Sequence, residues 1–239
     1  MAISLLGVST AGAAATGSQN INVPTGTTSV ILMAGGWDSA GATLSAATLD
    51  GISFSFTAGY QVAPSGSTQG YYLADISNYT GSTGATISLG YTCSSTIDEG
   101  LVFGIFFFSG ADTTGMIRAK DFDTHQGGGR VVLTTTVTSV STDIVIGGAV
   151  GYTADGPADV GAPASQTESA SAASNSDTGS FGFEITTGAS STTFTTNSID
   201  YAALTTVSIE EAAASGGITN TNMVGSSGRI AGNYGGLVG

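Results

Sequence analysis

Apolar positions in this chain recur with a period of two rather than 3.6. Gly51 to Thr57 alternates Ile52, Phe54 and Phe56 with serines, Ala85 to Tyr91 sets out Ile87, Leu89 and Tyr91, and Ser180 to Thr186 sets out Phe181, Phe183 and Ile185. Such alternation marks a strand with one face buried and one wet. Thr28 to Gly35, Arg130 to Thr138 and Tyr201 to Ile209 add compact apolar or β-branched runs. Leu101 to Ser109 and Ile144 to Val150 are apolar at nearly every position and read as central strands covered on both faces. In a two-layer fold their second cover has to come from loops, a long arm or a neighbouring subunit. No long window carries apolar residues at helical spacing, and 37 glycines oppose helix throughout.

Turn signals separate these runs: Asp50-Gly51, Pro64-Ser65-Gly66, Thr80-Gly81-Ser82, Asp98-Glu99-Gly100 and Gly127-Gly128-Gly129. Pairs such as Asp-Gly supply the positive φ that tight turns need. The spacing predicts about ten or eleven strands with regular breaks, the pattern of a sandwich or jelly roll. No repeat of fixed period stands out, which disfavours a propeller or solenoid. The expected fold is all-β: a two-layer antiparallel β-sandwich of jelly-roll type over residues 1–211, followed by an extended C-terminal arm, 212–239.

Two stretches depart from the strand pattern. Residues 155–178 are rich in Ala and Ser, with Pro157 and Pro163, and read as a long exposed loop or extended connection. Residues 212–239 are Gly-rich with isolated apolar residues: Ile218, Met223, Val224, Ile230, Tyr234, Leu237 and Val238. A tail with nothing to bury has no need of these. They read as anchors of an arm draped over a neighbouring subunit, a mode that gains affinity through main-chain bonding.

Composition narrows the function classes. Charged residues are 9% of the chain, with 4 Lys plus Arg against 17 Asp plus Glu, a formal net charge of -13. Four cations cannot track a phosphate backbone or hold an anionic membrane surface, so neither nucleic acid nor membrane is an expected partner. The hydrophobic fraction of 41% argues against disorder, and the longest apolar run is far short of the roughly 20 residues of a membrane helix. The polar surface is therefore built mainly from uncharged Ser, Thr, Asn and Gly, as on extracellular and virion proteins. The first residues, Met1 to Val8, lack a basic region and a long apolar stretch, which fits either a product that reaches the exterior without a signal peptide or a mature secreted fragment begun at a new Met.

Chemistry-bearing residues are few. Cys93 is the one cysteine and reads as a packed side chain. Asp121, Asp123 and His125 share one face if their segment is extended, and two carboxylates with an imidazole are a weak candidate metal set. The segment leads into three glycines and reads as a solvated loop. With one His, any Ser/His/Asp mechanism has to run through His125, and no nucleophile-elbow motif occurs. Glu184 and Asp200 could serve as paired acids, though nothing singles them out. Trp37, Tyr60, Tyr71, Tyr72 and Tyr79 could stack on sugars or sit half-buried at sheet faces. No catalytic residue, cofactor or firm metal site is expected.

The order of segments carries a resemblance. Val30-Ile31-Leu32-Met33 is followed by Ala47-Thr48-Leu49-Asp50-Gly51-Ile52, Tyr71-Tyr72-Leu73 and Ala85-Thr86-Ile87-Ser88-Leu89. Then come Phe107-Phe108-Ser109-Gly110-Ala111-Asp112, Asp143-Ile144-Val145-Ile146-Gly147 and Ala202 to Ile209. This resembles a β-sandwich (jelly-roll-like) module of phage virion and bacterial surface proteins, over about residues 1–211. The Phe-Ser-Gly-Ala-Asp segment is its most distinctive part and reads as a structural turn. The resemblance implies a sandwich, an extracellular or virion role, and no shared catalytic residues. The expectation is a non-enzymatic virion structural protein: an exterior capsid or decoration component of a phage, homo-oligomeric through its arm, with itself and other virion proteins as partners. The alternative is a carbohydrate- or receptor-binding fibre or adhesin module, with aromatics and the 155–178 loop at the site and a glycan or host receptor as ligand.

Overall fold

Strands apolar on both sides need two layers of cover, and a second sheet supplies the one that a simple sandwich lacks. The computed structural model describes residues 2–13, 16–36, 42–62, 70–96, 100–125, 131–152, 160–161, 167–174, 177–185, 191–196 and 202–213. The first half holds β1 (Ser4–Ala13), β2 (Gly17–Val23), β3 (Ser29–Gly36), β4 (Leu44–Leu49), β5 (Ile52–Ser53), β6 (Ser55–Val62), β7 (Gly70–Ile76), β8 (Ala85–Cys93) and β9 (Leu101–Ser109). The second holds β10 (Ile117–His125), β11 (Thr134–Val137), β12 (Ile144–Tyr152), β13 (Val160–Gly161), β14 (Thr167–Ser174), β15 (Asp177–Ile185), β16 (Thr192–Thr196) and β17 (Ala202–Ile209). All strand pairs are antiparallel, and no helix among the described residues is long and apolar enough to cross a membrane.

The all-β sandwich expectation holds, with four layers where two were expected. The sheets run β2-β8-β4-β5, β1-β9-β3-β7-β6, β10-β17-β12-β15-β14 and β11-β16-β13. Three apolar layers bind them in that order. Val30, Leu32, Phe103, Ile105 and Phe107 face Val23, Leu49 and Leu89 of the outer sheet. Ile31, Met33, Leu73, Phe106 and Phe108, on the opposite face of the same strands, meet Ile146, Val150, Val207 and Ile209. Val145, Ala149 and Leu204 then face Val137 and Phe194. The parity of each inner strand thus divides its side chains between two cores. A fully buried Phe contributes about 1.5–3 kcal/mol, and Phe103, Phe106, Phe107 and Phe108 are all fully buried in one strand.

The two halves share one topology. Replacing β1, β9, β3, β7 and β6 by β10, β17, β12, β15 and β14 reproduces the order of the second large sheet, and β2-β8-β4 likewise becomes β11-β16-β13. Val30, Ile31, Ala34 and Gly36 of β3 recur in β12 as Val145, Ile146, Ala149 and Gly151. β1 lies over β14, β9 over β15, β3 over β12 and β7 over β17, as a pseudo-twofold axis between β3 and β12 requires. Gly35 and Val150 are counterparts that meet there: a Cβ on Gly35 would stand 2.9 Å from Val150 Cβ. The halves are therefore a structural duplication that carries no fixed sequence period. The spacing between counterparts shrinks from 115 residues at Val30/Val145 to 101 at Phe107/Ser208, defined by Val30↔Phe107 and Val145↔Ser208, so no fixed period survives.

Local chemistry accounts for the joints. Asp50 at φ 54 and Gly51 at φ 77 form the tight turn between β4 and β5, where Leu49 pairs with Ile52. The Phe-Ser-Gly-Ala-Asp segment is the turn joining the halves: Gly110 has φ 73, Ala111 bridges Glu211, and the Asp112 amide donates to Glu210 O at 3.1 Å. Residues 155–178 are not wholly loop, because 167–174 form β14 beside β15. Small Ala and Ser side chains gave no alternation signal there. The arm from residue 214 onward, with Ile218, Met223, Ile230, Tyr234 and Leu237, lies outside the described residues.

Gly35→Ala should destabilise the protein by about 1–3 kcal/mol through overpacking against Val150, measured as a lowered denaturant midpoint.

Candidate functional site

Asp121, Asp123 and His125 do share a face, but on a strand, which corrects the loop expected there. They stand opposite Thr206, Leu204 and Ala202 of β17. The glycines that suggested a loop come only after His125, and the alternation Ile117, Ala119, Asp121, Asp123 hid a strand whose inward positions are polar. Asp121 Oδ2 accepts from the Thr136 amide at 2.9 Å, and Asp123 Oδ2 from the Thr134 amide at 3.2 Å. Their Oδ1 atoms accept from the Phe122 and Thr124 amides, both at 2.9 Å. The carboxylates therefore stitch β10 to β11 across the flank of the second sandwich. Among the described residues no group of three His, Cys, Asp or Glu is placed to hold a metal ion.

A second polar centre was missed from sequence. Asp143 is fully buried, and its Oδ2 accepts from Arg118 Nε at 2.8 Å, the Val140 amide at 3.0 Å and Ser208 Oγ at 2.8 Å. Arg118 also reaches Glu210 Oε2 at 2.9 Å. The hydrogen bond to Asp143 raises the guanidinium above its ordinary value, with the charges of Asp143 and Glu210 adding to it. One of four cations is thereby committed to holding β10, β17 and the approach to β12 together. The signal was an acid at the entry of an apolar run, Asp143-Ile144-Val145, where a charge must find partners.

Other chemistry-bearing groups are also structural. Burial pushes the Cys93 thiol up, away from thiolate character, and its amide and carbonyl both bond Thr16 Oγ1. Burial likewise raises Asp75. The Thr114 amide and hydroxyl, both donating to Asp112, hold that carboxyl below the usual range. Tyr71, Tyr72 and Tyr79 are buried, at 6%, 1% and 5% exposure, so they offer no sugar platform. Trp37 lies outside the described residues, and so does the Tyr60 side chain. Glu184 pairs with Val145 in the β12–β15 ladder, while Asp200 lies outside the described residues.

Among the described residues, the outward faces of the two outer sheets are uncharged. On the outer sheet of the first half, Asn22 stands opposite Thr86, Asn20 opposite Ser88, and Gly90 between Ser18 and Thr48. Gly90 leaves an open depression of roughly 250 Å³ there, bordered by Thr16, Gly17, Ala46, Thr48 and Thr92. On the outer sheet of the second half, Thr134 stands opposite Thr195 and Thr136 opposite Thr193, with Thr136 and Thr193 hydroxyls 2.8 Å apart.

Asp143→Ala should cost about 1.5–3 kcal/mol, the range for hydrogen bonds to a charged group, because Arg118 retains water and Glu210. Ser208→Ala should cost less, and paired thermal melts would rank the two.

No protein-family model matches the chain, and no curated protein matches it. Among solved structures, a conserved protein of unknown function from Pseudomonas aeruginosa is similar at 10% identity, covering 85% of this chain and 78% of that one, with a TM-score of 0.28. A likeness of that size leaves the chain's family unassigned.

Proposed function

We propose that this is a non-enzymatic structural protein of an extracellular particle, an exterior capsid or decoration component of a phage virion that assembles with itself and other virion proteins through its C-terminal arm. The observation that carries the reading is the distribution of polarity. Both outermost sheets expose Ser, Thr and Asn, while Arg118, Asp121, Asp123 and Asp143 are engaged in holding strands together. Such a molecule is a rigid block with neutral hydrophilic ends and no assembled reaction centre among its described residues. A net charge of -13 keeps free subunits apart in solution until specific contacts form. Light scattering on the full chain and on a chain ended after Glu211 tests the reading. The full chain should form large assemblies, and the shortened chain should lose them while keeping its melting temperature within a few degrees. Equal masses for the two would refute the arm as the assembly device.

The depression at Gly90 favours a second reading, a neutral-saccharide contact on a fibre or adhesin module. Thr16, Thr48 and Thr92 border it, and no charged residue among those described does. On this reading, titration with neutral oligosaccharides should give saturable binding that Ala46→Tyr weakens at least tenfold. Ala46 is exposed on β4, so the fold should tolerate the change. An absence of binding at millimolar sugar would eliminate it.

A further inference from the structure

Among the described residues, eight strands form the edges of the four sheets. An edge presents unpaired N–H and C=O groups that template pairing with another chain, and proteins blunt such edges. Seven of the eight are blunted here. At one flank Gln19 Nε2 donates to Gly12 O and Ser9 Oγ to Asn22 O, which stitches β2 to β1. At the equivalent flank Asp121 and Asp123 take the β11 amides, which stitches β11 to β10. β5 and β13 are two residues each, too short to template a partner. β6 is interrupted by a register shift between Phe56 and Gln61, with Gly59 at φ 79.

β14 is the remaining edge. It runs eight residues and pairs with β15 on one side. After a shift between Glu168 and Ala170 its register is regular through Ser174. That regular stretch, Ala-Ser-Ala-Ala-Ser, holds no charge and no proline. It therefore lacks the two side-chain devices that ordinarily stop edge-to-edge association.

We infer that β14 is a self-association edge, and that its partner is β14 of a second copy of this chain. The two strands run antiparallel about a twofold axis and make one continuous sheet from two five-stranded ones. Centred on Ala172, the pairing sets Ala170 opposite Ser174 and Ser171 opposite Ala173. Glu168 falls beyond the regular stretch, so no like charges stand directly opposite each other. The overall charge of -13 on each copy opposes approach, and salt screens that repulsion. Association should strengthen with ionic strength, the reverse of an ion-paired interface. The inference is independent of the arm, because every residue it uses lies within the sandwich.

Sedimentation velocity on the full chain, from about 1 to 200 µM at low and physiological salt, tests it across the range of a small interface. The mass should rise with concentration from the monomer to at least the dimer, and further at the higher salt; species larger than the dimer are the arm's assemblies, which the chain ended after Glu211 lacks. Ser171→Lys and Ala172→Lys put the charge on opposite faces of the strand. Whichever variant keeps the wild-type circular dichroism should need at least tenfold higher concentration to dimerise. Should neither fold, hydrogen exchange on the wild type decides: the amides of 170–174 should gain protection as concentration rises. The chain ended after Glu211 should still dimerise. A wild type that stays monomeric throughout, a folded lysine variant of unchanged mass, amides indifferent to concentration, or a dimer lost on removing the arm would each overturn the inference.

Discussion

The apolar layer between the two five-stranded sheets is the contact on which the architecture depends. Ile31, Met33, Phe106 and Phe108 on one side meet Ile146, Val150, Val207 and Ile209 on the other. This layer forces β3, β9, β12 and β17 to be buried on both faces, since each also serves a second core within its own half. It requires a residue without a side chain at Gly35, where Val150 fills the space. It leaves the two smaller sheets as outer lids, and their outward faces, with the flanks, as the places where polar residues reach water.

The same positions in the two halves solve burial differently. Phe107 and Ile105 of β9 correspond in register to Ser208 and Thr206 of β17. In the first half they fill an apolar core. In the second they make hydrogen bonds: Thr206 with Thr135, Ser208 with Asp143. Thr196 Oγ1 accepts from the Leu133 amide, and Ser139 and Thr192 hydroxyls lie 3.3 Å apart. A buried hydroxyl is tolerable only when its partner is in place, so the second core relies on geometry where the first relies on bulk. This difference explains why the halves share a topology yet have little sequence in common outside β3 and β12.

Legibility followed side-chain size. Strands with large alternating residues, such as β8, or continuous apolar ones, such as β9 and β12, were read directly, because periodicity reports burial. β14, with Ala and Ser, and β10, with carboxylates on the inward-facing positions, were not. Small residues carry no hydrophobic contrast, and a buried-side carboxylate looks the same in sequence as a solvated one. The Asp50-Gly51 turn was legible since its positive φ values restrict residue type. The shared face of Asp121, Asp123 and His125 was legible as well, while the use made of it was not: their acceptors are satisfied by amides eleven and fifteen residues along the chain.

By itself, the sequence determined that the protein is all-β, that its polar surface is built mainly from uncharged residues, that β9 and β12 are covered on both faces, and that ionisable chemistry is sparse. These follow from composition and from period-two patterning, which are local properties. Only the tertiary structure decided what covers those strands, because the choice among loop, arm, subunit and second sheet depends on which surfaces match in shape. It decided the duplication, since register between strands far apart in the chain survives changes in loop length that erase a period. It also decided the roles of Arg118 and Asp143, because whether a charge is buried, and by whom it is met, depends on residues that only folding brings together.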